Sequence, residues 1–103
     1  VDGGFVEYAL IPENSARKIP EDIPFDHGCL LEPMGIPFRA AEAGKVKGDA
    51  VVVIGCGPIG QFAIAFSRIL GAHIIVGVNV NEKRLGIAEK MGATHLLNPE
   101  KNP

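Results

Sequence analysis

The chain has 103 residues, a net charge of −2, and is 47% hydrophobic and 21% charged. That length holds one domain or less, with a modest core. No basic patch stands out and no apolar run is long enough to span a bilayer, so neither nucleic acid nor membrane is expected as a partner. Cys29 and Cys56 lack C-x-x-C spacing and read as reduced thiols of an intracellular, cytoplasmic protein. The chain starts at Val1 rather than Met and stops in the turn-like "NPEKNP", so both ends look cut.

Residues 3–11, "GGFVEYALI", alternate well enough to predict a strand closed by Pro12. A polar excursion follows, with Pro12, Pro20 and Pro24 and room for a short strand at 16–19. Residues 28–43 read as one helical stretch, in which Pro37 suits the first helical position and Gly44 the stop. Ala50–Ile54 is continuously apolar, as expected of a parallel strand buried on both faces. Residues 58–70 read as a helix with Ile59, Phe62, Ala63, Phe66, Ile69 and Leu70 on its apolar face, stopped by Gly71. A second apolar strand covers 73–78 and begins at His73; Asn81 caps a helix running to Met91 and Gly92 stops it. A third strand starts at 94–97 and includes His95. Strand, helix, strand, helix, strand at this pace predicts α/β architecture built from parallel βαβ units.

The turn after the first apolar strand carries Gly55, Gly57 and Gly60 in G-x-G-x-x-G spacing. Between a strand and a helix this is the dinucleotide fingerprint. Gly55 makes the tight turn. Gly57 lets a pyrophosphate approach the backbone, and Gly60 lets helix and strand pack closely. The N–H groups opening the helix, together with its dipole, would hold the phosphates, and Pro58 fits because the first turn has spare donors. Pro58 and Ile59 complete the candidate turn. Asn79 lies nineteen residues after Gly60, where NAD-binding folds usually place Asp or Glu to read the adenosine ribose. Asn retains an acceptor but drops the charge, so a 2′-phosphate would not be repelled. Arg84, five residues on, could bind ribose or phosphate. NAD is the expected cofactor, with NADP open.

These residues resemble the zinc-dependent medium-chain dehydrogenases, in the branch of threonine and sorbitol dehydrogenases. "GGFVEYALIP" resembles the segment that closes their catalytic domain, and "LLEPMG" their E-P-[LMF]-[GS] segment. "GDAVVVIGCGPIGQFAIAFSRILGA" resembles the first strand and helix of the cofactor domain, and "VNEKRLGIAEKMGATHLLNP" the next unit. The resemblance implies a partial Rossmann fold, a doubly wound parallel sheet, preceded by the end of an all-β GroES-like domain. The expected division is 1–27 for the end of the catalytic domain, 28–48 for a connecting helix and turn, and 49–103 for the start of the dinucleotide-binding domain. It also implies a zinc ion that lowers the pKa of a substrate hydroxyl, with hydride passing to nicotinamide. Glu32 would lie beside that zinc as a ligand, and Ile36 would rest against the nicotinamide ring. The family's other zinc ligands would precede residue 3, so the piece alone is expected to be inactive. Threonine dehydrogenases usually follow the acidic-Pro pair with G-N-A, whereas Ile36 and Pro37 follow Gly35 here, which leaves a polyol or other secondary alcohol equally open. The full protein, about three times as long, would act on a small-molecule alcohol as a homodimer or homotetramer. The alternatives are a zinc-free quinone or enoyl reductase of the same fold, or a non-catalytic nucleotide-binding module.

Overall fold

The computed structural model describes residues 3–101. In chain order it contains a 3-10 turn at Glu13–Ser15, α1 (Phe25–Gly28), α2 (Leu31–Ala43), β1 (Ala50–Ile54), α3 (Pro58–Ile69), β2 (Ile74–Val78), α4 (Glu82–Met91) and β3 (His95–Leu97). The three strands form one parallel sheet in the order β1-β2-β3. Ile54 pairs with Val78 at the C-terminal ends, and Val78 with Leu97. The mixed α/β class with a parallel sheet is therefore as the sequence predicts.

The core lies between the sheet and α3 and α4. It is built from Val53, Cys56, Ile64, Ile75, Leu85, Ala88 and Ala93. Alternation along a strand sends Ile75 and Gly77 to the helical side of β2. In β1 the same rule buries Val53 but leaves Val52 60% and Ile54 84% exposed. The apolar run 50–54 is thus covered on one face only, not on both as its composition predicts, because the described helices pack on one side of the sheet. His73 and His95, expected in buried strands, are both exposed.

The N-terminal third departs most from expectation. Residues 3–11 form no strand: Phe5, Tyr8 and Leu10 are exposed and no described strand pairs with them. Alternation alone cannot satisfy backbone N–H and C=O groups without a neighbouring strand. The predicted strand at 16–19 is likewise absent. The stretch 28–43 splits into α1 and α2, with Cys29 as the exposed C-cap of α1. Pro37 sits inside α2, not at its start, and is buried. Pro33 occupies the first turn, where a missing N–H costs no helical bond, so the helix begins before it. Phe38 of α2 meets Phe66 of α3 edge to face, with ring centroids 5.2 Å apart, and this contact seats α2 on α3.

Elsewhere boundaries fall within a residue or two of expectation. The Asn81 side chain accepts the Arg84 N–H at the start of α4, and Gly92 ends that helix at φ 118°, a conformation L side chains rarely adopt. β3 begins one residue later than predicted because Thr94 stands in for the ladder. Its Oγ1 accepts the Ile75 N–H at 2.9 Å and donates to the Ile75 carbonyl at 3.1 Å.

Candidate nucleotide-binding site

The C-terminal ends of β1 and β2 lie side by side, and the Gly55 N–H reaches the Val78 carbonyl at 2.8 Å. The glycine turn and Asn79 therefore emerge from the same edge of the sheet. In open α/β sheets that edge is where ligands bind.

Each glycine of the turn meets a distinct constraint. Gly55 has φ 95°, which reverses the chain directly after the strand. A Cβ on Gly60 would overlap the Gly55 carbonyl oxygen and lie 3.0 Å from the Gly55 carbonyl carbon, so helix and turn approach as closely as bare backbone permits. A Cβ on Gly57 would meet nothing within 4 Å. Among the described residues nothing demands glycine at 57 for packing, and its φ of −75° is open to any residue. What it leaves is clear space above the turn.

Gly57 is the N-cap of α3, Pro58 opens the helix, and no side chain caps it or adds an acid to its first turn. Contrast α4, whose start is occupied by its own Asn81 and Glu82. The first-turn donors of α3 and the positive end of its dipole are thus left to solvent or an anion. An open groove of about 260 Å³ borders the turn, lined by Cys56, Gly57, Pro58, Gln61, Arg84 and Ile87. Arg84 makes no ion pair among the described residues, whereas nearby Glu82 is paired to Lys101 at 3.0 Å. Net positive charge thus faces the groove. Ile59, in the first turn of α3, is half exposed.

Asn79 has its acceptor in use. Its Oδ1 takes the Asn81 N–H at 2.9 Å, forming a local turn that delivers the chain to α4. That bond uses one lone pair of Oδ1, which leaves its second lone pair and the amide N–H groups for a ligand. Cys56 is almost completely buried, its Sγ 3.6 Å from the Val78 carbonyl, and burial pushes its thiol up from the ordinary range. It packs the turn onto β2; no thiolate nucleophile is set up here.

Gln61 is missing from the sequence-derived candidates. The apolar face predicted for α3 names Ile59 and Ile69, which are exposed, while the deepest positions are Gln61, Ile64 and Ser67. A helix apolar almost all round gives little phase information, and two polar residues on the inner face point the wrong way. Gln61 Nε2 donates to the carbonyls of Cys56 and Arg84, both at 2.9 Å.

Glu32 and Ile36 are four residues apart on α2, so they share one helix face, and both are exposed. No group of three His, Cys, Asp or Glu side chains comes together among the described residues. Zinc takes three or four protein ligands. Residues 3–101 alone therefore do not fit a zinc ion, and Glu32 offers one carboxylate toward a site that needs more. The groove by the glycine turn does fit a diphosphate: it has clear space, unclaimed N–H donors and a free guanidinium. No described helix is long and apolar enough to cross a membrane.

Residues 58–103 match the family model for zinc-binding dehydrogenases. L-threonine 3-dehydrogenase from Shewanella woodyi is 43% identical over 100 residues, which are 97% of this chain but 29% of that protein. L-idonate 5-dehydrogenase from Escherichia coli superposes with a TM-score of 0.92 at 31% identity, over 99% of this chain and 30% of the other. A short chain alcohol dehydrogenase from E. coli, complexed with NADH, gives 0.91 at 31% identity, over 99% and 31% of the two chains. A putative zinc-binding dehydrogenase from Sinorhizobium meliloti, bound to NADP, gives 0.90 at 31% identity, over 97% and 30%. The chain thus spans less than a third of the length of these relatives. In sequence motif, sheet order and these matches, the chain is similar to the zinc-binding dehydrogenases.

Proposed function

We propose that the chain carries the dinucleotide-holding turn of an NAD(P)-dependent, zinc-dependent oxidoreductase that transfers a hydride between a secondary alcohol or polyol and nicotinamide. The observation that carries the reading is the open space over Gly57 beside an uncapped helix start. Gly57 and the first-turn N–H groups of Pro58–Ile69 would hold the pyrophosphate, Gly55 and Gly60 would set the approach, and Asn79 and Arg84 would meet the adenosine ribose or its 2′-phosphate. The nicotinamide ring supplies the hydride acceptor, and Ile36 would pack against it. Glu32 would contribute to zinc together with ligands from outside residues 3–101. In this reading residues 49–103 begin the dinucleotide domain, 28–48 connect to it and 1–27 close the catalytic domain. The intact protein would be a cytoplasmic homodimer or homotetramer.

The test is reduction of NAD and NADP by the intact protein with a panel of secondary alcohols, polyols and threonine, with and without a zinc chelator. Alcohol-dependent, chelator-sensitive reduction is expected. Chelator-resistant reduction of quinones or enones would instead mean a zinc-free reductase. Dinucleotide binding without turnover of any substrate would mean a binding module.

A further inference from the structure

Gln61 lies one turn into α3 on the face that also carries Ile64 and Ser67, and it is 8% exposed. An apolar side chain is the ordinary occupant of such a position. The amide instead reaches two main-chain oxygens from different elements: Cys56 in the glycine turn and Arg84 in the first turn of α4. Its own Oε1 is buried without a hydrogen-bond partner. A stranded acceptor destabilises, so the fold alone gives this amide little reason to be here.

The geometry of the Cys56–Gly57 peptide shows what the donor does. No described peptide bond is cis. In a trans peptide the carbonyl and the following N–H point to opposite sides. Holding the Cys56 carbonyl on Gln61 therefore turns the Gly57 N–H away from Gln61. The second bond fixes the Arg84 main chain, and with it the root of the guanidinium that borders the same groove. Asn81, capping the Arg84 N–H, holds that residue from the other side.

We propose that Gln61 is a positioning residue that locks the glycine turn and the start of α4 into one register, so that the Gly57 N–H and Arg84 engage a single dinucleotide together. The inference rests on the dinucleotide reading above.

A double-mutant cycle on the intact protein tests it, using Gln61→Met, Arg84→Met and the pair. Dissociation constants for NAD and NADP are read by calorimetry and thermal stability by scanning. Gln61→Met keeps the side-chain length, loses the donor and removes the stranded acceptor. It is expected to weaken dinucleotide binding about tenfold, the scale of one charge-assisted bond, while the melting temperature moves by no more than about 3 °C. Arg84→Met is expected to cost about tenfold in the parent protein and no more than about threefold in the Gln61→Met background, because the arginine is already out of register. Multiplicative losses, or unchanged affinity in Gln61→Met, overturn the proposal. Should Gln61→Met not fold, Gln61→Asn shortens the amide while keeping it polar and reads the same cycle. A parent protein that binds neither dinucleotide overturns the functional reading and this inference with it. A parent that binds, with losses that simply multiply, overturns this inference alone.

Discussion

Gly57 and Gly60 sit in one short turn, and the structure predicts opposite consequences for substituting them. At Gly57 a side chain meets no protein atom within 4 Å and the backbone, at φ −75° and ψ −174°, accepts any residue. Losing an N-cap glycine costs a few tenths of a kcal/mol to about 1 kcal/mol, and the stiffer unfolded chain returns about 0.4–1 kcal/mol. Gly57→Val should therefore leave stability within about 1 kcal/mol of the parent. The valine methyls would fill the space in which the proposed function puts the pyrophosphate. Losing two charge-assisted bonds of about 1.5 kcal/mol each amounts to about 3 kcal/mol, or about a hundredfold in dissociation constant. At Gly60 the balance reverses. Alanine is favoured in a helix by about 1 kcal/mol, but its Cβ would overlap the Gly55 carbonyl, and the backbone shift costs about 1–3 kcal/mol. Gly60→Ala should lower stability by up to about 2 kcal/mol and disturb binding only through the displaced turn. The assay pairs denaturant unfolding with dinucleotide titration for each variant of the intact protein. If Gly57→Val unfolds the protein, or binds dinucleotide as the parent does, the division of labour among the glycines is refuted.

Asn79→Asp should keep the local turn, since either Asp oxygen can accept the Asn81 N–H, and should raise the preference for NAD over NADP at least tenfold through repulsion of the 2′-phosphate, about 1.4 kcal/mol. An unchanged ratio would mean the ribose is read elsewhere. Glu82 is held below the ordinary carboxylate range by the Asn98 amide and then by Lys101. Its folded pKa is lowered, so its contribution is present above the unfolded value and is lost as pH falls through the folded one. Thermal scans from about pH 5 to about pH 3 should show a shallower acid loss in Glu82→Gln than in the parent, and parallel curves would contradict the pairing. Ile64→Ala, at a fully buried core position, should cost about 2–5 kcal/mol in denaturant unfolding; a cost below about 1 kcal/mol would mean α3 packs differently.

The second half of the chain was legible because its signals are local. The apolar run at 50–54, the Asn81 cap and the glycine at 92 each mark an element within a few residues. The glycine spacing marks the turn by itself, since Gly55, Gly57 and Gly60 lie within six residues. What failed depends on neighbours far along the chain. Residues 3–11 alternate like a strand but have no described partner, and alternation is silent about pairing. Pro37 reads as a helix start from sequence, yet α2 had already begun six residues earlier at Leu31. The covered face of β1 follows from where the helices pack, which a run of valines cannot record. Gln61 was hidden for the same reason: its worth lies in joining two main-chain oxygens that are five and twenty-three residues away.

The most direct test is a crystal structure of the intact protein with NAD or NADP bound. Pyrophosphate oxygens are expected within hydrogen-bond distance of the Gly57 N–H and the first-turn N–H groups of α3, with the adenosine ribose beside Asn79 and Arg84. A dinucleotide bound elsewhere, with the space over Gly57 filled by another part of the protein, would contradict that placement.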